Sequence, residues 1–387
     1  MAEGLQPVTS NQRPASRARP FIIPIFLPHA GCPHRCIFCN QISITGTKHE
    51  AVNRDKIRNQ IQEFLTYRKE NRSPVDIAFY GGNFLGLKPE EIKSWLSLAG
   101  EFISRGLVDG IRFSTRPDTI DGARLDILDN CPVSIVELGV QSMDDDVLAL
   151  AERGHTASDT VRAVEALKRR QLGIGLQMMV GLPGDRDTRS LVTARRIADL
   201  EPDCVRVYPT VVVNGSRLAH WFKKGEYRPL SLEAAVRLVK KVYLIFQNKG
   251  IAVIRMGLQA SDDLEDGATV LAGPYHPAFG HMVHSEIFYD KVTTAIETDG
   301  STTDALSILV NPCSISKMRG LNNYNIKKLK KQFGFYAVEV LPDNSLTEDE
   351  VRIGHLKDEH RIRLRRKRPT RQRRASTCPP PADRTSK

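Results

Sequence analysis

A parallel α/β sheet curled into a partial, TIM-like (β/α)6 barrel is the fold predicted by this sequence of 387 residues. Three observations predict it. Six short apolar runs alternate with stretches of helical period, at spacings near the length of a βαβ unit, which implies parallel strands joined by right-handed crossovers. Polar and glycine-bearing strings follow these runs, where a barrel of parallel strands carries its working side chains. After Val211 the repeats run out: only a helix at Ser231 to Asn248 and a strand at Ile251 to Arg255 can be read, so a full eight-unit barrel is not expected.

The elements follow in order. Residues 1–20 form a polar leader with Arg13, Arg17 and Arg19 among Pro, Ser and Gln and no apolar h-region, so no secretory signal is read and a cytoplasmic location is expected. The apolar strand Phe21 to Leu27 runs into a turn rich in Pro, Gly and His. Ile57, Ile61, Phe64 and Leu65 mark a helix from about Arg54 to Lys69, followed by a strand at Asp76 to Tyr80 and a helix from about Pro89 to Ser104. Then come a strand at Gly110 to Ser114, a short helix after Asp121, a strand at Val133 to Leu138, and helices opening near Asp144 and Ser158. A strand at Gly173 to Val180, a helix at Thr188 to Leu200 and a strand at Cys204 to Tyr208 complete the series. We read 21–260 as the core. From about Leu258 the rhythm changes, and a strand at Ala305 to Val310, a helix at Ile326 to Phe333 and a strand at Tyr336 to Leu341 predict a small C-terminal α/β appendage over 261–345. The charged stretch 346–387 has too little apolar surface beyond His360 to offset its ordering entropy, and a largely disordered basic tail is expected there.

Composition narrows the function classes. The longest apolar runs stop far short of the roughly 20 residues of a membrane-spanning helix, so no membrane partner is expected. The net charge of +11 is lopsided: His360 to Lys387 holds eleven Lys and Arg against one Asp, leaving 45 basic and 44 acidic residues in the rest. The body is nearly neutral, so the tail is the candidate for contacts with RNA phosphates, unless it is merely a solvated extension.

Of seven cysteines, Cys131, Cys204, Cys313 and Cys378 are scattered singly, while Cys32, Cys36 and Cys39 sit in one turn with three and then two residues between them. Thiolates this close repel unless a metal shares their charge. A structural zinc would need a fourth ligand, which His29, His34 or His49 could supply. An iron–sulfur cubane normally takes four cysteines, so three would leave one iron open to a ligand.

Gly31-Cys-Pro-His-Arg-Cys-Ile-Phe-Cys-Asn40, with an aromatic before its third cysteine, resembles the motif of the radical S-adenosylmethionine enzymes. The resemblance implies a barrel of the radical SAM type and a 4Fe-4S cluster on Cys32, Cys36 and Cys39. It implies chelation of S-adenosylmethionine by the open iron, and an electron donor such as ferredoxin or flavodoxin. One-electron cleavage of the cofactor would yield a 5′-deoxyadenosyl radical that abstracts hydrogen from substrate. Later strings extend the likeness. In Phe79-Tyr-Gly-Gly-Asn83, Gly81 and Gly82 would present backbone to the methionine amino group, with Asn83 where the family usually has Glu. Phe113-Ser-Thr-Arg-Pro-Asp118 resembles the Elongator catalytic subunit family and would place Ser114 near the ribose. Gln141, Arg153 twelve residues later, and Gln177 before the Gly-Leu-Pro-Gly turn are similar to cofactor contacts of the coproporphyrinogen dehydrogenase and Elongator types. The Elongator catalytic protein continues into an acetyltransferase domain for which the stretch after Pro277 has no room, so acetyl transfer is not implied.

The resulting expectation is an iron–sulfur enzyme that reductively cleaves S-adenosylmethionine and acts on tRNA in an Elongator-like way. Two rivals stand beside it. A porphyrinogen-type or other small-molecule radical enzyme suits the neutral body, and a zinc-stabilised RNA-binding module would use the cysteines only to fold a loop.

Overall fold

The computed structural model describes residues 20–40, 53–68, 73–259, 264, 269–300 and 304–355. The expected leader before Pro20 and the basic tail beyond His355 lie outside the described residues. Two compact units form, Met1–Val283 and His284–Lys387.

The first unit runs β1 (Phe21–Phe26), α1 (Arg54–Thr66), β2 (Val75–Tyr80), α2 (Pro89–Ser104), β3 (Gly110–Thr115), α3 (Gly122–Asp126), β4 (Val133–Gln141), α4 (Asp145–Leu150), α5 (Ala157–Arg169), β5 (Gly173–Val180), α6 (Asp187–Asp199) and β6 (Cys204–Pro209). A two-residue strand β7 (Val212–Val213), α7 (Arg217–Lys223), α8 (Leu232–Asn248), β8 (Ala252–Met256) and β9 (Val270–Ala272) follow. Seven strands form one sheet in the order β1-β2-β3-β4-β5-β6-β8, every pair parallel. The seventh strand extends the six-unit half-barrel by one.

Local chemistry starts these helices where the sequence turns polar. Asn53, Asp121, Thr156 and Ser231 each accept a backbone N–H of the helix they precede, and Thr156 and Asp159 cap α5 reciprocally. The strands alternate. One set of side chains, including Ile77, Phe79, Ile111, Phe113, Val136, Leu138, Val205 and Val207, is fully buried. Each such side chain contributes about 1.5–3 kcal/mol on leaving water. The other set is polar: Asp76, Tyr80, Arg112, Ser114, Glu137, Gln177, Arg206 and Tyr208. Arg206 on β6 donates to the Tyr80 hydroxyl on β2 at 2.9 Å across four strand positions, which requires the sheet to curl so that the polar set lines its concave face.

In the second unit, α9 (Phe279–Asp299) continues from the first and precedes β10 (Ala305–Val310), α10 (Ile315–Arg319), α11 (Tyr324–Phe333), β11 (Ala337–Pro342) and β12 (Val351–His355). The sheet order is β11-β10-β12, parallel then antiparallel, over a core that includes Phe288, Val292, Ile308, Val310, Met318 and Leu329. β12 corrects the expectation that the chain loses structure at 346: Val351 and Ile353 alternate on one face and pack against this core. The boundary after Val283 also lies beyond the expected 260, because Gly257 and Gly280 pack closely against Phe279 and Met256 within the first unit. Among the described residues no helix is long and apolar enough to cross a membrane.

Candidate active site

The carboxyl ends of β1 to β5 bring the sequence-predicted residues to one rim. The cysteine turn leaves β1 and is pinned at its middle: Ile37 is fully buried in an apolar cluster with Val147, Met179 and Leu218. Its N–H donates to Ala151 O at 3.2 Å and its carbonyl accepts from Leu218 N at 2.8 Å. Ile37 is thus the anchor of the turn, while Phe38 packs partly buried against the same cluster. Cys36 is buried and Cys32 and Cys39 are half-buried.

Gly82 belongs to the end of β2 and touches the cysteine turn so closely that a Cβ would lie 2.4 Å from Ala30 O and 2.7 Å from Leu27 O. Gly81 has φ +92°, a conformation open to glycine. Asn83, which stands where the resembled family usually has Glu, uses its side chain. Fully buried, it donates from Nδ2 to Gly31 O at 2.8 Å, and its Oδ1 accepts from Thr115 Oγ1 (2.7 Å), Arg116 N (3.0 Å) and Thr119 Oγ1 (3.0 Å). An amide can donate and accept at once, whereas a carboxylate could not donate to Gly31. Asn83 therefore ties the start of the cysteine turn to the end of β3. A ring stack of Phe79, Phe84 and Phe113, with centroids 5.0 and 4.7 Å apart, supports it.

Two buried arginines flank the thiols. Arg116 grips Asp118 in a bidentate pair (2.9 and 3.0 Å) and donates to the Arg153 carbonyl. Arg153 donates from Nη1 to Cys36 Sγ at 3.0 Å and from Nη2 to Gly139 O at 2.6 Å. Arg116 Nη1, Arg153 Nε and His155 Nδ1 are buried without a hydrogen-bond partner. Three unsatisfied polar nitrogens at one place are costly in a folded protein and mark a spot shaped for something else. Burial, then the charge of Cys36, pushes the Cys32 thiol up, and Arg116 and Arg153 pull it back. His155 falls to about 4 through burial and the two arginines, so its imidazole is neutral near pH 7.

Of the remaining predicted residues, Gln177 Nε2 donates to Gln141 Oε1 at 3.1 Å, and Gln141 holds a left-handed φ of +67° at the end of β4. Gln141, Arg153 and Gln177 thus surround Gly139, where a Cβ would come within 2.9 Å of the Gln141 amide. Ser114 lies half-buried on the concave face, level with Glu137 across β3 and β4.

Below the rim the sequence reading overlooked a second cluster. Glu137 Oε1 accepts from Arg112 Nε, Arg206 Nη2 and the Tyr80 hydroxyl, each at 3.0 Å. Arg112 Nη2 and Arg206 Nε lie 2.8 and 2.7 Å from the same carboxylate, close as charges but off hydrogen-bond alignment. A charged residue inside each of three apolar strands, Arg112, Glu137 and Arg206, was the available signal.

As they stand, no three His, Cys, Asp or Glu side chains among the described residues form a group that could hold a metal ion. The donor set nonetheless suits an iron–sulfur cluster: three soft thiols on one turn, two guanidinium charges to offset thiolates, and unpartnered N–H groups beside them.

Residues 26–197 match the family model of the radical SAM superfamily, and residues 202–288 that of the Radical SAM C-terminal domain. An uncharacterized protein of Methanocaldococcus jannaschii is 31% identical over 221 residues, 54% of this chain and 67% of that protein. A tRNA uridine(34) acetyltransferase of Dehalococcoides mccartyi is 25% identical over 287 residues, 63% of this chain and 62% of that protein. The chain therefore spans about two thirds or less of these relatives. Among solved structures, the archaeal Elp3 of Methanocaldococcus infernus shares the fold at a TM-score of 0.53 and 19% identity, over 74% of this chain and 64% of that one.

Proposed function

The chain belongs to the radical SAM superfamily and is an enzyme of that class, and from this premise we propose that its rim binds a 4Fe-4S cluster on Cys32, Cys36 and Cys39 and reductively cleaves S-adenosylmethionine. The superfamily typically carries these two cofactors. The observation that carries the proposal is the turn itself: three thiols anchored through Ile37, with Arg153 bonded to Cys36 and three buried nitrogens left without partners.

When bound, the cluster supplies one electron and an open iron, and S-adenosylmethionine supplies the radical that takes hydrogen from substrate. The chain's own residues do the positioning. Cys32, Cys36 and Cys39 would hold the cluster, and the guanidinium groups of Arg116 and Arg153 beside them would offset thiolate charge. Arg153 Nε faces no protein acceptor and is free for the cofactor carboxylate, while Gly81 and Gly82, with no side chains between them and the cysteine turn, would present main chain to its amino group. Gln141 and Gln177, already joined, form one polar wall on the adenine side, and Ser114 on the concave face serves the ribose. Ile37 and Phe38 exclude water from beneath the turn.

The substrate we propose is tRNA, by the likeness to tRNA uridine(34) acetyltransferases, with the basic tail supplying phosphate contacts and a ferredoxin or flavodoxin the electron. Anaerobic reconstitution with iron and sulfide tests the chemistry. Wild type should take up four irons per chain and, given S-adenosylmethionine and dithionite as reductant, release 5′-deoxyadenosine, whereas Cys36→Ala should do neither, since two thiols cannot hold the cubane. Four irons retained by Cys36→Ala would sink the assignment. Mass spectrometry of tRNA from cells lacking the protein tests the substrate: unchanged nucleosides point to a small molecule.

A further inference from the structure

The concave face has one more arginine than its carboxylates can serve. Glu137 is shared by Arg112 and Arg206. Asp76, 4.0 Å from Arg112, is pushed up by burial and is a poor counter-charge. Beside this network stands Arg255 on β8, the register partner of Arg206 on β6. Like charges directly opposite on neighbouring strands are destabilising. Among the described residues Arg255 makes no ion pair, and its hydrogen bond runs from Nε to Gly257 O at 3.3 Å.

The backbone goes out of its way to create this pair. Val205 is level with Val253, but the register then slips by one residue so that Arg206 is level with Arg255 and Ile254 is left over, 45% exposed. Without the slip Ile254 would sit beside Arg206, and Arg255 would point to the opposite face. Bulges of this kind re-aim side chains near active sites. Tyr208, two residues further toward the rim on β6, accepts from Arg206 Nη1 at 3.3 Å and brings a hydroxyl to the same place. Burial, with Arg206 adding to it, pulls the Arg255 guanidinium down from its ordinary range, as expected of a cation lacking an anion.

We propose that Arg255, with Tyr208 and the outer edge of Arg206, is an anion-binding subsite that takes a carboxylate or phosphoryl group of the substrate. A planar, permanently charged fork is the side chain suited to either group. The inference rests on the reading that substrate enters the concave face, but not on the substrate being RNA or on the cluster loading.

Arginine footprinting tests it on the full-length wild-type chain, before and after cluster reconstitution. Phenylglyoxal should modify Arg255, and inorganic phosphate or succinate should protect it. Protection by phosphate alone assigns a phosphoryl group, and protection by succinate alone a carboxylate. Equal modification with and without both anions overturns the proposal. Calorimetry then compares wild type with Arg255→Gln. The variant should lose about tenfold or more in affinity for the protecting anion while unfolding at the same or a higher temperature, because a like-charge contact is gone. Undiminished anion binding by a folded Arg255→Gln also overturns it. Arg255→Lys, which keeps the charge but not the fork, should fall between the two.

Discussion

The rim and the concave face beneath it are built from the same material, buried arginines beside titratable partners, and they treat it differently. On the concave face Glu137 satisfies Arg112, Arg206 and Tyr80 together, and Arg206 also stacks over the Tyr80 ring with its charge 5.1 Å from the centroid. At the rim Arg116 and Arg153 each keep a buried nitrogen with no acceptor. Both arginines of the first arrangement are ion-paired to Glu137, whereas Arg153 at the rim makes no ion pair among the described residues. Ion pairing thus separates a structural network from a binding one better than burial or hydrogen-bond satisfaction does, since Arg112 Nη2 and Arg206 Nε also lack a hydrogen-bond partner. Arg255 is where the two meet, a cation of the binding kind at the edge of the structural network.

The largest effect that would break this comparison is on Glu137. Glu137→Ala removes the carboxylate that Arg112 and Arg206 share, leaving only Asp76 at 4.0 Å from Arg112, and urea unfolding should register a loss of about 3–5 kcal/mol. A loss below about 1 kcal/mol would mean that water already reaches the network, and the distinction between the two regions would fail.

Asn83 gives a smaller, sharper test. Asn83→Ala abandons Gly31 O and three donors in a buried place, at a cost of about 1–3 kcal/mol. Asn83→Asp conserves shape and the acceptor but sets a carboxylate oxygen against Gly31 O, so it should destabilise no less than alanine and should also lower iron uptake on reconstitution. If aspartate restored wild-type stability and iron content, the amide would be acting only as an acceptor.

Much of this was legible beforehand, for identifiable reasons. The parallel sheet showed because short, mainly apolar strand segments recur between stretches of helical period, and the cysteine turn because three cysteines at that spacing need a cause. The helix Phe279–Asp299 did not show: its apolar residues, Ile287, Phe288, Tyr289 and Val292 among them, are spread around the helix and blur the period. β12 was hidden by the charges around Val351 and Ile353. The role of Asn83 was invisible because its four partners come from Gly31 and from 115–119, distant in sequence. The slip that delivers Arg255 could not be read either, since register is a property of paired strands.

His155 supplies a pH test of the rim. Its folded value of about 4 lies below the ordinary 6.5, so the unfolded chain binds a proton that the folded chain refuses. The contribution is whole above about pH 6.5, is lost as pH falls toward 4, and levels off below that. Unfolding of the cluster-free protein followed over this window should show the fall, and His155→Gln should flatten it. Equal slopes in both proteins would place the proton uptake elsewhere.

The mildest test uses cysteines as reporters of the two regions. Cys204 begins β6 on the concave side of the sheet, 5% exposed, and a Cβ on Gly175 would lie 3.3 Å from its sulfur. Burial, reinforced by the charge of Glu137, pushes its thiol up to about 11, so at pH 8 both access and thiolate fraction are low. Cys32 is also pushed up by burial, but it is half-exposed at the rim and Arg116 and Arg153 oppose the rise. Alkylation of the cluster-free protein, followed by peptide mass spectrometry, should therefore label exposed Cys313 first, Cys32 next and Cys204 last. Cluster reconstitution should then protect Cys32 and leave the Cys204 rate unchanged. If Cys204 were labelled as fast as Cys32, the floor of the half-barrel would be opening on the timescale of the reaction, and a buried network ion-paired through Glu137 should not permit it.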